Sequence, residues 1–281
     1  MIIHRDGHFI LNTKNTTYAF YINETAQPEH LYYGKRITLD DDLAGIEALK
    51  EKWAFAPGNT IVYDNDHKQF SPENVCYEMS SYGHGDIREP FIEVIHADGS
   101  RSCDFIYDTF IIKYGKTPLK TLPTSYSKGE FGSFDEKSIN ADKEDNVTEL
   151  TIILKDRSYD LELKIRYCVY EECDVITRDA ILTICSKEKI RVERLMSLQL
   201  DMHECDIKLT TFHGSWAREM NKAERMIDCG KYEGGSFTGT SSNRNNPLML
   251  LSDKNTTEKT GRVYGFNLIY IASSPRTYDL S

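Results

Sequence analysis

A serine or cysteine nucleophile needs a histidine within reach and a third group to orient that base. Locally, the nearest approach is Asp201, His203, Glu204 and Cys205. Polar residues at the end of a strand are far more often solvated than catalytic, and the nucleophile elbow Gly-x-Ser-x-Gly does not occur, so no catalytic residue is assigned. Metal binding needs several His, Cys or carboxylate ligands converging on one point. The eight histidines are scattered singly, without His-x-x-x-His on a helix. Asp64-Asn65-Asp66-His67 opens like a calcium loop but lacks its spaced ligands and terminal glutamate, and reads as a turn. No metal is expected. Gly83-His84-Gly85 has no third glycine at the dinucleotide spacing, and Asp86-Ile87-Arg88-Glu89-Pro90 after it reads as a loop into an edge strand. No cofactor is expected either. Sugar hydrolysis uses two carboxylates about 5–9.5 Å apart, and 44 acidic residues leave no pair singled out. Tyr32, Tyr33, Trp53, Tyr82 and Trp216 could stack on sugar rings. Most aromatics in a β-sandwich belong to its core, so those on loops are the better candidates.

The elements that would carry these residues read as β almost throughout. Leu161, Leu163, Ile165, Tyr167 and Val169 alternate with Glu162, Lys164 and Arg166, the pattern of a half-solvated antiparallel strand. Val175 to Ile184 and Arg191 to Leu200 follow after short connections, and the spacing predicts that the three form a meander. Further strands are predicted over Phe9–Asn12, Tyr18–Asn23, Phe91–His96, Ser102–Lys113, Glu149–Lys155, Pro247–Ser252 and Val263–Tyr270. Ala97-Asp98-Gly99-Ser100 carries the Asp-Gly signal of a tight hairpin. Asp40-Asp41-Asp42 before Leu43, Ile46 and Leu49 predicts one short helix, its acidic start matched to the helix dipole. Thr124–Asn146 and Gly230–Asn246, rich in Ser, Gly, Lys and Asn, read as surface loops. Strands do not alternate with helices, which argues against a (β/α)₈ barrel within the chain. The predicted fold is all-β: a large antiparallel sandwich with one or two short helices.

Composition narrows the partners. The 281 residues carry 34 Lys and Arg against 44 Asp and Glu, a formal charge of −10, with no long basic run. Nucleic acid and anionic membrane surfaces are therefore disfavoured. No stretch reaches the roughly 18–20 apolar residues of a membrane helix, and Met1-Ile2-Ile3-His4-Arg5-Asp6 shows no secretory pattern. The expected address is the cytoplasm. There the seven cysteines, Cys76, Cys103, Cys168, Cys173, Cys185, Cys205 and Cys229, are expected to be reduced and mostly buried.

Seven stretches in register resemble the N-terminal domain of glycoside hydrolase family 36 α-galactosidases. They are Tyr32-Tyr33-Gly34-Lys35-Arg36; Phe70-Ser71 with Glu78 and Tyr82-Gly-x-Gly-Asp86-x-Arg88-x-Pro90; Leu122-Pro-Thr-Ser-Tyr126; Tyr170-Glu with Asp174-Val-Ile-Thr-Arg178; Phe212-His-Gly-Ser-Trp-Ala-Arg-Glu219; Gly239-Thr-Ser-Ser-Asn-x-x-Asn-Pro247; and Val263-Tyr-Gly-Phe-Asn-Leu-Ile-Tyr270. The resemblance implies a galactose mutarotase-like β-supersandwich over residues 1–270, with 271–281 as an unmatched tail that reads as a truncated or shifted end. In the family this domain precedes a catalytic (β/α)₈ barrel that removes terminal α-galactose from sugars such as melibiose and raffinose with retention, without a cofactor, in enzymes that are often cytoplasmic tetramers. The catalytic aspartates belong to the barrel, so none is carried over to this chain.

By the same resemblance, a loop between Glu51 and Lys68 reaches a neighbouring subunit's active site, where Trp53 would stack on galactose and Lys68 would donate to its hydroxyls. Trp53 as a buried anchor is an equal reading. Gly83, Gly85, Asp86, Arg88, Asn243, Asn246 and Pro247 read as residues that hold loops in shape, and Trp216 as a residue packing toward the barrel. A stand-alone carbohydrate-binding or assembly module with the same sandwich is the alternative.

Overall fold

The structure, a computed structural model, describes residues 1–37, 63–119, 125, 147–202, 206–236 and 244–269 and the backbone of 276–280. The predicted helix over Asp40–Leu49 and nearly all of Thr124–Asn146 lie outside the described residues. Two compact units form, one from Met1–Pro118 with Tyr126–Met202, the other from Leu119–Ser125 with His203–Ser281.

The first unit opens with a meander of β1 (Ile2–Arg5), β2 (His8–Asn12), β3 (Thr16–Ile22) and β4 (Pro28–Lys35). Arg5 pairs with His8 across Asp6 and Gly7, both left-handed (φ 49° and 78°), the geometry a two-residue hairpin needs to match strand twist. A 3₁₀ turn at Pro72–Asn74 and β5 (Ile92–Ile95) follow. Next come β6 (Phe105–Tyr114), β7 (Val147–Asp156), β8 (Leu161–Tyr170) and β9 (Val175–Ile184), a second four-stranded meander in that order. A 3₁₀ turn at Glu171–Cys173 joins β8 to β9, and β10 (Arg191–Leu195) pairs with β5.

Phe9, Leu11, Tyr18 and Phe20 of the first meander meet Leu150, Ile152, Leu154, Leu163, Ile165 and Tyr167 of the second, with Phe91, Ile92 and Val94 between them. Phe9 and Phe20 stack at 5.0 Å and Phe20 and Tyr167 at 5.2 Å, so the core is a sandwich of two sheets closed by aromatics.

The second unit holds a four-stranded sheet ordered β12 (Arg218–Met226), β11 (Ile207–Ser215), β14 (Asn245–Asp253) and β15 (Val263–Asn267). A ribbon pairs β13 (Tyr232–Ser236) with β16 (Arg276–Leu280). Every strand ladder among the described residues is antiparallel.

The fold class follows the periodicity, and several details depart from it. The Asp98-Gly99 turn forms, with Gly99 N–H donating to His96 at 3.0 Å. Yet β5 and β6 do not pair across it; β5 joins β10 and β6 joins β7. For the same reason the expected meander stops at β9. On β8, Arg166 of the supposedly solvated face is buried, with its ion pair to Asp179 at 2.7 Å, while Cys168, buried beside Glu149, agrees with the expectation for its thiol. Gly230–Asn246 contains β13, whose two glycines had suggested a loop. Of the described cysteines, Cys76, Cys103 and Cys168 are buried while Cys173, Cys185 and Cys229 are exposed, against the expectation of mostly buried thiols. The helical content of the described residues is the two 3₁₀ turns.

One turn carries a direct test. Gly214 sits at the bulge where the β11–β12 register shifts, and a Cβ there would stand 2.3 Å from the Arg218 carbonyl oxygen and 2.9 Å from Glu219 Cα. Both obstacles are backbone and cannot swing away. Gly214→Ala is expected to destabilise the sheet by about 1–3 kcal/mol. Hydrogen exchange should show the β11–β12 amides losing protection first.

Candidate functional site

The densest polar constellation lies inside the first unit, on strands that sequence spacing alone does not bring together. Glu78 is 0% exposed. Its carboxylate accepts from Tyr18 Oη at 2.7 Å, from Tyr167 Oη at 2.6 Å and from His30 Nδ1 at 2.9 Å, and pairs with Arg178 Nη1 at 3.1 Å. A carboxylate only accepts, so His30 carries its proton on Nδ1. Arg178 also donates to the carbonyls of Gln199, at 3.1 Å, and Glu78, and lies 5.0 Å from the Tyr167 ring centre. Burial alone would raise the Glu78 pKa; the Arg178 charge and the hydrogen bonds from His30 and Tyr167 outweigh it and hold it below the ordinary glutamate value. Burial pushes the phenols of Tyr18 and Tyr167 far up, with the Glu78 charge acting in the same direction. An ionised acid with all neighbours donating is a clamp between β3, β4, β8 and β9, because it has neither an exchangeable proton near neutral pH nor an open side for a substrate.

The second constellation surrounds Arg88. Its Nε and Nη2 bind Asp86 at 2.9 and 3.0 Å, Nη1 reaches Val75 O at 2.6 Å and the Asp201 carboxylate, and Nη2 also reaches Pro72 O at 2.6 Å. Ahead of it Gly83, His84 and Gly85 are all left-handed, with φ of 109°, 56° and 82°. Two glycines are needed there because this conformation is open to few L-residues. Asp201 thus serves the Arg88 clamp, while His203, Glu204 and Cys205 lie outside the described residues.

The third constellation anchors the segment that carries Lys68. Tyr63 Oη donates to Asp104 at 2.9 Å, Gln27 Nε2 donates to both, and Arg157 Nε pairs with Asp104 at 3.1 Å. Asp64 accepts from the amides of Asp66 and His67 and from His67 Nδ1 at 2.8 Å. This is a closed turn, and the His67 bond holds the Asp64 carboxyl below its usual range. Lys68 follows it, exposed. Trp53 and Asn243 lie outside the described residues.

In the second unit Trp216 and Ala217 form the tip of the β11–β12 hairpin, and the Trp216 side chain is 91% exposed. Asn246 accepts from the Leu248 amide at 3.0 Å and reaches Met220 Sδ at 3.4 Å. Pro247, without an N–H, sits where the β11–β14 register breaks. Tyr82 is exposed, whereas Tyr32 and Tyr33 are half-buried. Among the described residues no group of three or more His, Cys, Asp or Glu could hold a metal ion.

Sequence reasoning missed Glu78, Arg178, His30 and Tyr18 as one cluster; only the family motifs had marked Glu78 and Arg178, as separate residues. The missing signal is contact across 48 to 100 positions of chain.

Layered antiparallel sheets, with Glu78 and Asp86 held in ion-pair clamps, define a class: an all-β domain. The comparisons make this particular. Residues 26–275 match the glycosyl hydrolase family 36 N-terminal domain, and the chain belongs to that family. It is 29% identical over 263 residues to alpha-galactosidase AgaA of Geobacillus stearothermophilus, covering 93% of this chain and 33% of that protein. It is 30% identical to probable alpha-galactosidase C of Aspergillus oryzae, covering 94% and 31%. The crystal structure of the alpha-galactosidase from Lactobacillus brevis superposes with a TM-score of 0.86 at 29% identity, over 99% of this chain and 35% of that one. A variant of the Geobacillus AgaA in complex with raffinose gives 0.82 at 28% identity, over 97% and 35%. The chain thus spans about a third of the length of the relatives it matches.

Proposed function

We propose that this chain is the non-catalytic supporting domain of a retaining α-galactosidase, acting with a (β/α)₈ barrel that performs the hydrolysis. The observation that carries the reading is the asymmetry of coverage: nearly all of this chain matches α-galactosidases, and about a third of each of them. A (β/α)₈ barrel takes about 250 residues of alternating parallel strands and helices, with its catalytic groups at the strand ends. The antiparallel ladders described above are of another kind. In this reading the substrate class is α-galactosides of the raffinose type, which a relative holds in its crystal structure. The domain works inside a cytoplasmic homo-oligomer. Lys68, exposed on an anchored segment, is assigned to sugar hydroxyls of a neighbouring subunit's pocket together with Trp53. Among the described residues no helix is long and apolar enough to cross a membrane.

The purified 281-residue chain should release no nitrophenol from p-nitrophenyl α-galactoside, and steady release would refute the reading. The exposed Trp216 favours one alternative, a stand-alone sugar-binding module, since a bare indole is a stacking platform. Tryptophan fluorescence separates the two. A supporting domain gives no saturable change with galactose, and saturation at millimolar sugar identifies the module.

A further inference from the structure

Along β12 the residues from Met220 to Met226 run Met-Asn-Lys-Ala-Glu-Arg-Met. Read outward from Ala223, the two halves are complementary: Lys222 is matched by Glu224, and Met220 by Met226. From Asn221 to Met226 the strand keeps unbroken register with β11, its one ladder partner among the described residues. The regular stretch begins after the left-handed Met220, φ 59°, at the bulge beside Gly214.

The side chains that make the match are in solvent. Lys222 is 59% exposed and Glu224 39%, with Met220 and Met226 also exposed. Two positions apart, Lys222 and Glu224 lie on one face of the sheet, where they pair at 3.1 Å and Lys208 of β11 reaches Glu224 at 3.5 Å. Charges on an edge strand ordinarily keep a second strand away. Here both signs are present, placed symmetrically about one residue. A second copy laid antiparallel with Ala223 on Ala223 sets Lys222 opposite the partner's Glu224, twice, and brings the methionines together at both ends. Slipping by two residues either way puts Lys222 on Lys222 or Glu224 on Glu224. The charges therefore choose a single register.

We infer that β12 is a dimerisation edge, where two copies of this chain pair antiparallel about a two-fold axis at Ala223 and join their four-stranded sheets into one. The inference rests on the homo-oligomer reading above and gives that oligomer one interface. The contact is isologous, so it consumes both edges and closes at two copies.

Sedimentation velocity of the full chain from about 1 to 200 μM should show a monomer–dimer equilibrium, as suits a short ladder. Lys222→Glu sets four carboxylates together at the axis, and Glu224→Lys four ammoniums, so each variant alone should dimerise at least about tenfold more weakly. Mixing the two single variants restores opposite signs at every position and should restore the dimer. A native chain that stays monomeric overturns the proposal, leaving any oligomer of the longer enzyme to other surfaces. A dimer that ignores both reversals, or variants that stay apart when mixed, also overturns it, while a persistent dimer leaves the homo-oligomer reading intact.

Discussion

Arg178→Leu should lower the melting temperature by about 6–20 °C, followed by circular dichroism on the full chain. Removing one partner of a buried ion pair costs about 3–5 kcal/mol because the other charge stays inside without compensation, and each kcal/mol moves the midpoint by roughly 2–4 °C at this size. Here the stranded group is Glu78, wholly buried, and among the described residues Arg178 is the guanidinium that pairs with it, beside the hydrogen bond from the His30 ring. Pairing the change with Glu78→Gln should recover part of the loss, since the amide keeps acceptor capacity without a charge. If the single and double variants melt together, the charge itself is not what the site stabilises.

The same pair fixes a pH signature. In the native chain the Glu78 pKa is lowered, so its contribution to stability is full above the ordinary glutamate pKa and is lost as pH falls through the lower folded value. Without Arg178 the opposition to burial is largely gone and the pKa moves up. Stability in the variant then improves on acidification, as the buried acid takes a proton. The gap between native and variant melting temperatures should therefore narrow from pH 7 toward pH 4. A constant gap would mean that Arg178 acts through its packing on Tyr167 and Phe91 alone.

What the sequence made legible was whatever repeats locally. β8 and β9 are found at their predicted bounds, and β7 within two residues; on β8 one face meets the core and the alternation records it, whereas β7 is an apolar run buried on both faces. The strand β12 was missed for the opposite reason. Arg218 to Met226 is almost wholly exposed, an edge paired on one side to β11, so no hydrophobic period marks it. Tyr232 to Ser236 forms a strand despite Gly234 and Gly235 because its backbone is paired with that of Arg276–Leu280, a partner 40 to 48 positions away. The pairing of β5 with β10 defeated a correct local turn signal at Asp98-Gly99. Tertiary pairing, and not the turn, sets the partner of each strand.

The candidate site divides in the same way. Asp86 and Arg88, two residues apart, could be read as a pair from the sequence. Val75, Pro72 and Asp201, which complete the Arg88 clamp, could not, since Asp201 is 113 positions distant. Trp216 was marked by its motif, yet only the structure shows an indole exposed at a hairpin tip.

Arg88→Lys is expected to lower stability by about 2–3 kcal/mol, although it keeps the charge. Hydrogen bonds to charged groups contribute about 1.5–3 kcal/mol each, and a lysine cannot repeat the set. The guanidinium fork presents donors in one plane to two carboxylates and two carbonyls at once. An ammonium has three donors on a single atom, so reaching Asp86 leaves the Val75 carbonyl without its guanidinium donor and leaves the Pro72 carbonyl with the Val75 amide alone. Pro72, buried, opens the 3₁₀ turn and Val75 caps it, so the loss should spread to that turn and to the Gly83–Gly85 loop. Thermal melts of the lysine and methionine variants decide between charge and geometry. If charge dominates, lysine melts with the native chain and methionine far below; if the fork dominates, lysine falls most of the way to methionine. The second outcome is expected, because the Arg88 side chain is only 18% exposed and water is poorly placed to substitute for the missing donors.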